Sequence, residues 1–216
     1  DGNSQINITN SIGFKSFLGW IKIGPNSNIS DAILASSGPS FIRIIGQSPN
    51  WVLGFNSPSG ANPEGQINIQ ESVWTFVSVV FYNGNMTFYV NGVQDATFSE
   101  SPFVATQIGD SPNSNHGIDS EFDNFSIWST ALSQSEIQQY MNCPPIGNEL
   151  GLVGFWDFEE GSGLTAIDKS NNGHNGTING ATYDTNVPSQ SCNLINVNGC
   201  DSTAILNLTI NNSVTN

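Results

Sequence analysis

The chain has 216 residues, enough for one generous all-β domain or a domain plus a tail. Only 10% are charged, and polarity comes instead from Asn, Ser, Thr and Gly, which favour turns and short strands over helices. The net charge of −14, with Lys15, Lys22, Arg43 and Lys169 as the whole basic complement, would repel nucleic acid and anionic membranes, and no apolar run approaches the ~18 residues of a membrane span.

In chain order, short β-rich runs fall at 17–23, 41–45, 51–55, 66–69 and 73–81, separated by Gly, Pro and Asn clusters. Strands so spaced predict a sandwich or barrel. The run ending at Phe81 leads through Asn83-Gly84 into Met86 to Val90, and Asn91-Gly92 opens the next run. Asn-Gly adopts the positive φ angles of a two-residue hairpin, so this stretch reads as a meander. Within it Met86, Phe88 and Val90 alternate with Thr87 and Tyr89, which buries one face. Ser133-Gln-Ser-Glu136 reads as a capping box. It starts one short helix, with Ile137, Tyr140 and Met141 on one face and Pro144-Pro145 as the stop. Residues 152–158 read as a strand, 159–176 as a Gly-rich loop and 177–183 as a further strand. From about 193 onward the Asn-rich sequence reads as a linker or the start of another module, which leaves 1–192 as the sandwich.

Cys143, Cys192 and Cys200 lack Cys-x-x-Cys spacing, which argues against a zinc site. In an oxidising compartment two of them can pair. Cys143–Cys192 is favoured, because each closes a segment that reads as an edge of the domain; three unpaired thiols are the alternative.

Three stretches resemble laminin-G-like and pentraxin-like domains. They are the meander from Trp74 to Gly92, the segment from Phe122 to Ile137 with its Ala-Leu-Ser-x-x-Glu-Ile ending, and the segment from Leu152 to Gly180 with its Asp168-Lys-Ser-Asn-Asn-Gly loop. The resemblance implies an all-β, two-sheet antiparallel jelly-roll sandwich of the concanavalin A-like kind. In most relatives the Asp-x-Ser loop comes first; here it comes last, and the chain enters at a stretch resembling the family's second strand. Either the order is circularly permuted, with 150–185 completing its own sandwich, or the last segment belongs to a following repeat. Permutation is preferred, because the alternative leaves sheet edges unpaired. The tail from Asn198 resembles segments of large secreted proteins of Bacteroidetes-type bacteria. That implies a secreted or cell-surface setting and tethering to a larger chain.

The resemblance also implies calcium, held by Asp168, Asn171 and Asp123 with backbone oxygens from Asn172, Gly173 or His174. Calcium takes 6–8 oxygen ligands, which such a loop partly supplies. Asn171 stands where the family usually has Gly.

Catalysis is disfavoured. Glu121-Phe-Asp123-Asn-Phe-Ser126 resembles the Glu-x-Asp-x-x-Glu of some glycoside hydrolases but ends in Ser126, and one carboxylate cannot be both nucleophile and acid/base. His116 and His174 sit in turn-like sequence, with one arginine in the chain, which is a poor set for a lyase. Sugar binding needs aromatic faces flanked by amides and carboxylates. Trp20, Trp74, Trp128 and Trp156 fall in strand patterns and read as core. Trp51 follows Ser-Pro-Asn, opens a short strand and matches no core position of the resembled family; Tyr82, beside Asn83-Gly84 at a hairpin tip, reads as exposed, and Phe103 and His116 are weaker candidates. The expected ligand site combines Trp51, Tyr82, Asn83, His116 and Asp119. The function expected is a non-catalytic, calcium-supported carbohydrate-binding or adhesion module. A structural spacer or protein-interaction domain is the alternative, and an enzyme comes last.

Overall fold

The structure is a computed structural model that describes residues 4–27, 31–110, 119–190 and 192. Its elements are β1 (Gln5–Gly13), β2 (Ser16–Ile23), β3 (Ala32–Ala35), β4 (Phe41–Gln47), β5 (Asn50–Asn56), β6 (Ile69–Gln70) and β7 (Thr75–Tyr82). They continue with β8 (Asn85–Val90), β9 (Val93–Ser99), β10 (Val104–Ile108), β11 (Ser120–Trp128), α1 (Gln134–Asn142), β12 (Leu152–Trp156), β13 (Thr165–Ala166) and β14 (Gly176–Asn179). Two antiparallel sheets face each other. One runs β13-β14-β1-β10-β3-β4-β5-β6 and the other β12-β11-β2-β7-β8-β9.

The local chemistry explains the meander. Asn83 and Gly84 have φ of 48° and 75°, and Asn91 and Gly92 have 49° and 70°. These are the left-handed angles that a tight hairpin needs and that Asn and Gly tolerate best. Met86, Phe88 and Val90 then point between the sheets, while Tyr89 points outward. The inter-sheet core also takes Phe17, Ile21, Ile44, Leu53, Val79, Phe125 and Trp156. Gly19 on β2 leaves room for the Phe125 ring; a Cβ there would fall 2.1 Å from its edge.

A second apolar cluster covers the outer face of the six-stranded sheet. Leu18, Phe76, Val80 and Trp128 pack there under Leu132 and Ile137. Helix α1 starts where the capping box predicts. Ser133 accepts from the Glu136 N–H, and Glu136 returns a bond to the Ser133 N–H at 2.7 Å.

The late segments pair with the early ones. β12 lies along β11, with Phe155 opposite Ser126, and β14 lies along β1, with Ile178 opposite Ile6. The sequence-predicted strand at 177–183 is shorter than expected. It ends at Asn179, and residues 181–190 run on as a strap without strand pairing. The run at 66–69 contributes only Ile69 and Gln70. Cys143, at the C-cap of α1, is joined to Cys192 by a disulfide that fastens the end of the strap.

Candidate functional site

At one end of the sandwich the strap crosses β11 and roofs one side of a partly open cavity of about 130 Å³. Ile6, Ile178 and Phe122 form apolar walls from both sheets; Trp74, just ahead of β7, and Phe158, just beyond β12, add aromatic surface. Glu121 and Asp123 come from β11, and Tyr183, Asp184 and Asn186 from the strap. The strap is tied down along its length. The Tyr183 hydroxyl donates to Thr165 O at 2.8 Å, and Asn186 Nδ2 donates to Glu121 Oε2 at 2.7 Å. Gln190 Nε2 donates to Met141 O at 3.2 Å, and its Oε1 accepts from Asn124 Nδ2 at 2.8 Å.

The register of β11 shifts between Asp123 and Ser126, with Asn124 at φ 51°. A bulge of this kind re-aims side chains at a sheet surface. Here it leaves Asp123 only 4% exposed, its Oδ2 accepting from Asn124 Nδ2 at 2.7 Å. Burial, then the negative charge of Glu159 and more weakly that of Asp157, push its pKa up to about 7 against the Asn124 bond. Glu121 differs. Its Oε1 accepts from Lys22 Nζ at 2.7 Å, an ion pair at the edge of the cavity. Burial, and next the nearby Glu160, push the Tyr183 phenol up to about 12, so it stays a neutral donor.

The residues expected to hold calcium make hydrogen bonds of their own. Asp168 Oδ1 accepts from Phe155 N at 3.0 Å, Ser170 N at 2.9 Å and Ser170 Oγ at 2.6 Å, and Oδ2 accepts from His174 N at 2.9 Å. Three of these donors meet Oδ1 and one meets Oδ2. Asn172 Nδ2 donates to Leu152 O, Val153 O and Ser170 Oγ, which closes the loop on β12. Asn171 is exposed at φ 62°, an angle that Asn tolerates where the family's Gly would sit. Asp123 meets different neighbours, Glu159 and Asp157. Among the described residues no three His, Cys, Asp or Glu side chains are grouped to hold a metal ion. These hydrogen bonds hold the loop closed against β12.

The expected ligand residues are also dispersed. Trp51 is not a surface platform. It is 1% exposed, in line with Leu53 and Phe55 on the face of β5 that packs into the inter-sheet core. Phe103 is likewise buried, with its ring stacked on Phe55 at 5.7 Å. Tyr82 is 64% exposed at the β7–β8 turn beside Asn83, at the opposite end from the strap. There Gly84 borders a shallow, serine-rich depression of about 380 Å³. Asp119 is a turn clamp, its Oδ2 accepting from Asn26 N and Nδ2 at 3.0 Å each. His116 lies outside the described residues. Trp128 and Trp156 are core as expected, but Trp20 and Trp74 are only half-buried. Sequence reasoning placed Trp74 in the core and overlooked Phe158, Tyr183, Asp184 and Asn186, which carry no local motif.

No curated protein matches the chain. A candidate carbohydrate-binding protein from Bacteroides ovatus superposes with a TM-score of 0.64 at 18% identity, over 82% of this chain and 56% of its own length. A heptameric SAP-like pentraxin from Limulus polyphemus superposes with a TM-score of 0.53 at 17% identity, over 66% of this chain and 77% of its own. The chain thus spans little more than half of the Bacteroides protein, and identities this low speak for a shared fold. The family model of the concanavalin A-like lectin/glucanases superfamily matches residues 4–138, more than half of the sequence, and the chain belongs to that superfamily.

Proposed function

We propose that the chain is a non-catalytic carbohydrate-binding module, secreted or displayed at a cell surface and tethered to further domains. The observation that carries this is the strap-covered cavity, where aromatic rings stand beside amide and carboxyl groups. That mixture suits a pyranose, whose faces are apolar and whose rim is hydroxylated. The Bacteroides ovatus neighbour, a candidate carbohydrate-binding protein, supports the reading. The Cys143–Cys192 disulfide is in keeping with an oxidising compartment. β11 offers little to catalysis. Glu121 is engaged by Lys22 and Asn186, and the third position of the hydrolase-like motif is Ser126, buried with its Oγ accepting from Trp128 Nε1 at 3.0 Å.

Residues 1–192 form the module in this reading, with 193–216 as a linker or the start of a further module. β12 and β14, beyond the span matched to the family, fill sheet positions beside β11 and β1, which supports a circularly permuted order. Calcium is the ion that Asp168, Asn171 and Asp123 would hold in this reading, and its support for binding is a separate arm of the test. Asp168 also accepts four hydrogen bonds that hold its loop closed, so binding is expected to persist when the ion is removed.

The test is binding of the intact chain to algal, plant and animal polysaccharides, run in calcium and in EDTA. At least one glycan should bind in both, and Trp74→Ala should weaken it at least about tenfold. Binding lost in EDTA would make calcium essential to the site. Binding to none would leave a structural spacer or protein-interaction domain.

A further inference from the structure

We infer that the cavity beneath the strap receives the terminal residue of an uncharged glycan, and neither an internal stretch of chain nor a uronic acid. This rests on the carbohydrate-binding reading and narrows it. Closure is the first argument. Ile178 and Phe122 wall the cavity from the two sheets, and the strap crosses it. The strap is fixed by Tyr183 to Thr165, by Asn186 to Glu121, by Gln190 to Met141 and by the disulfide at its end. An internal sugar unit needs two exits, because the polymer continues on both sides; a terminal unit needs one. A wall tied at four places does not swing aside to make a second exit. The cavity's volume of about 130 Å³ also lies well under the roughly 300–1,000 Å³ of pockets that take drug-sized ligands. It has room for about one ring.

Charge is the second argument. Glu121, Asp123 and Asp184 line the cavity, and no Lys or Arg does. The cation at its margin, Lys22, is already held by Glu121 at 2.7 Å. A uronate or sulfate entering here would leave water without a cationic partner and meet like charge. Sugar hydroxyls, in contrast, are donors that carboxylates accept well.

The experiment is calorimetry with di-, tetra- and hexasaccharides of the gluco-, xylo-, manno- and galacto-series, with oligogalacturonates alongside. The expected result is one protein per chain, with affinity changing by no more than about twofold with length, and no response to galacturonates. Affinity that climbs about tenfold or more from di- to hexasaccharide, or several proteins on one chain, would overturn terminal recognition. Binding of a galacturonate would overturn the charge argument. Thr182→Trp, a change at an exposed strap position on the cavity's rim, is expected to abolish binding without lowering Tm. Unchanged binding in that variant and in Trp74→Ala would place the ligand elsewhere and sink the inference, while leaving the carbohydrate reading intact. Silence from every sugar, together with no binding in the polysaccharide panel, would remove the carbohydrate reading as well.

Discussion

Asp168 and Asp123 are buried alike, at 6% and 4% exposure, yet their carboxyl groups are pushed in opposite directions. Burial pushes both up. At Asp168, hydrogen bonds from Ser170, Phe155 and His174 outweigh that penalty and hold the group below the ordinary aspartate range. At Asp123 the compensating bond comes from Asn124, while Glu159 and Asp157 add like charge, and the group rises to about 7. One carboxylate closes a loop by collecting donors. The other is kept short of donors at the wall of a cavity. Donor supply, more than burial, separates a structural aspartate from one with spare hydrogen-bonding capacity.

The largest expected effect comes from taking the collected donors' acceptor away. Asp168→Ala leaves the Phe155, Ser170 and His174 N–H groups without their partner, and unsatisfied buried donors cost about 1–3 kcal/mol each. The variant should lose about 3 kcal/mol or more, read by urea or thermal unfolding. A loss under about 1 kcal/mol would mean that water replaces the carboxylate and that the loop is no clamp. In the wild type the depressed pKa contributes stability that is present above the ordinary aspartate pKa and disappears as pH falls through the folded value.

Asp123→Asn should act with the opposite sign and a smaller size. Between the ordinary value of 3.8 and about 7, the folded protein keeps a proton that the unfolded chain releases. Stability therefore falls as pH rises across that window, then levels off. Asparagine keeps the oxygen that accepts from Asn124 and removes the titration. The variant should match wild type near pH 4 and exceed it at pH 8 by on the order of 1–3 kcal/mol. Melting curves at both pH values check this, and a variant equally destabilised at both would show that the carboxyl group is needed for packing rather than strained by its charge.

The loop and the bulge were not equally legible in the sequence. Asx-rich turns, Asn-Gly hairpins and the Ser133–Glu136 cap are local patterns whose chemistry is complete within a few residues, so they could be read directly. The Asp168 loop was recognised as special, but one of its four bonds comes from Phe155 on a separate strand, which no local pattern displays. Trp51 shows a signal that was present and outweighed: Trp51, Leu53 and Phe55 alternate with period two, the mark of a core-facing row, but the preceding Ser-Pro-Asn suggested a surface turn. The cavity was the least legible feature. Its walls come from positions as far apart as Ile6, Trp74, Asp123 and Tyr183, and only the register of β14 on β1 and the path of the strap bring them together.

Lys169 links the two regions and offers the finest test. Its backbone belongs to the Asp168 loop, donating to Phe155 O at 2.7 Å, while its ammonium reaches Asp157 Oδ2 at 3.4 Å, among the carboxylates around Asp123. Lys169→Gln keeps the backbone bond and deletes the charge. Because the pair is part-exposed, its stability cost should be about 0.5 kcal/mol or less. The consequence for Asp123 is separable from that cost. With Asp157 no longer offset by a cation, the field at Asp123 becomes more negative, and its titration should move further up, while that of Asp168, governed by hydrogen bonds rather than by neighbouring charge, stays where it is. Carboxyl-carbon NMR through a pH series would resolve the two residues. Parallel movement of both would mean that one electrostatic environment spans the loop and the bulge, and the distinction between a donor-rich and a donor-poor aspartate would fail.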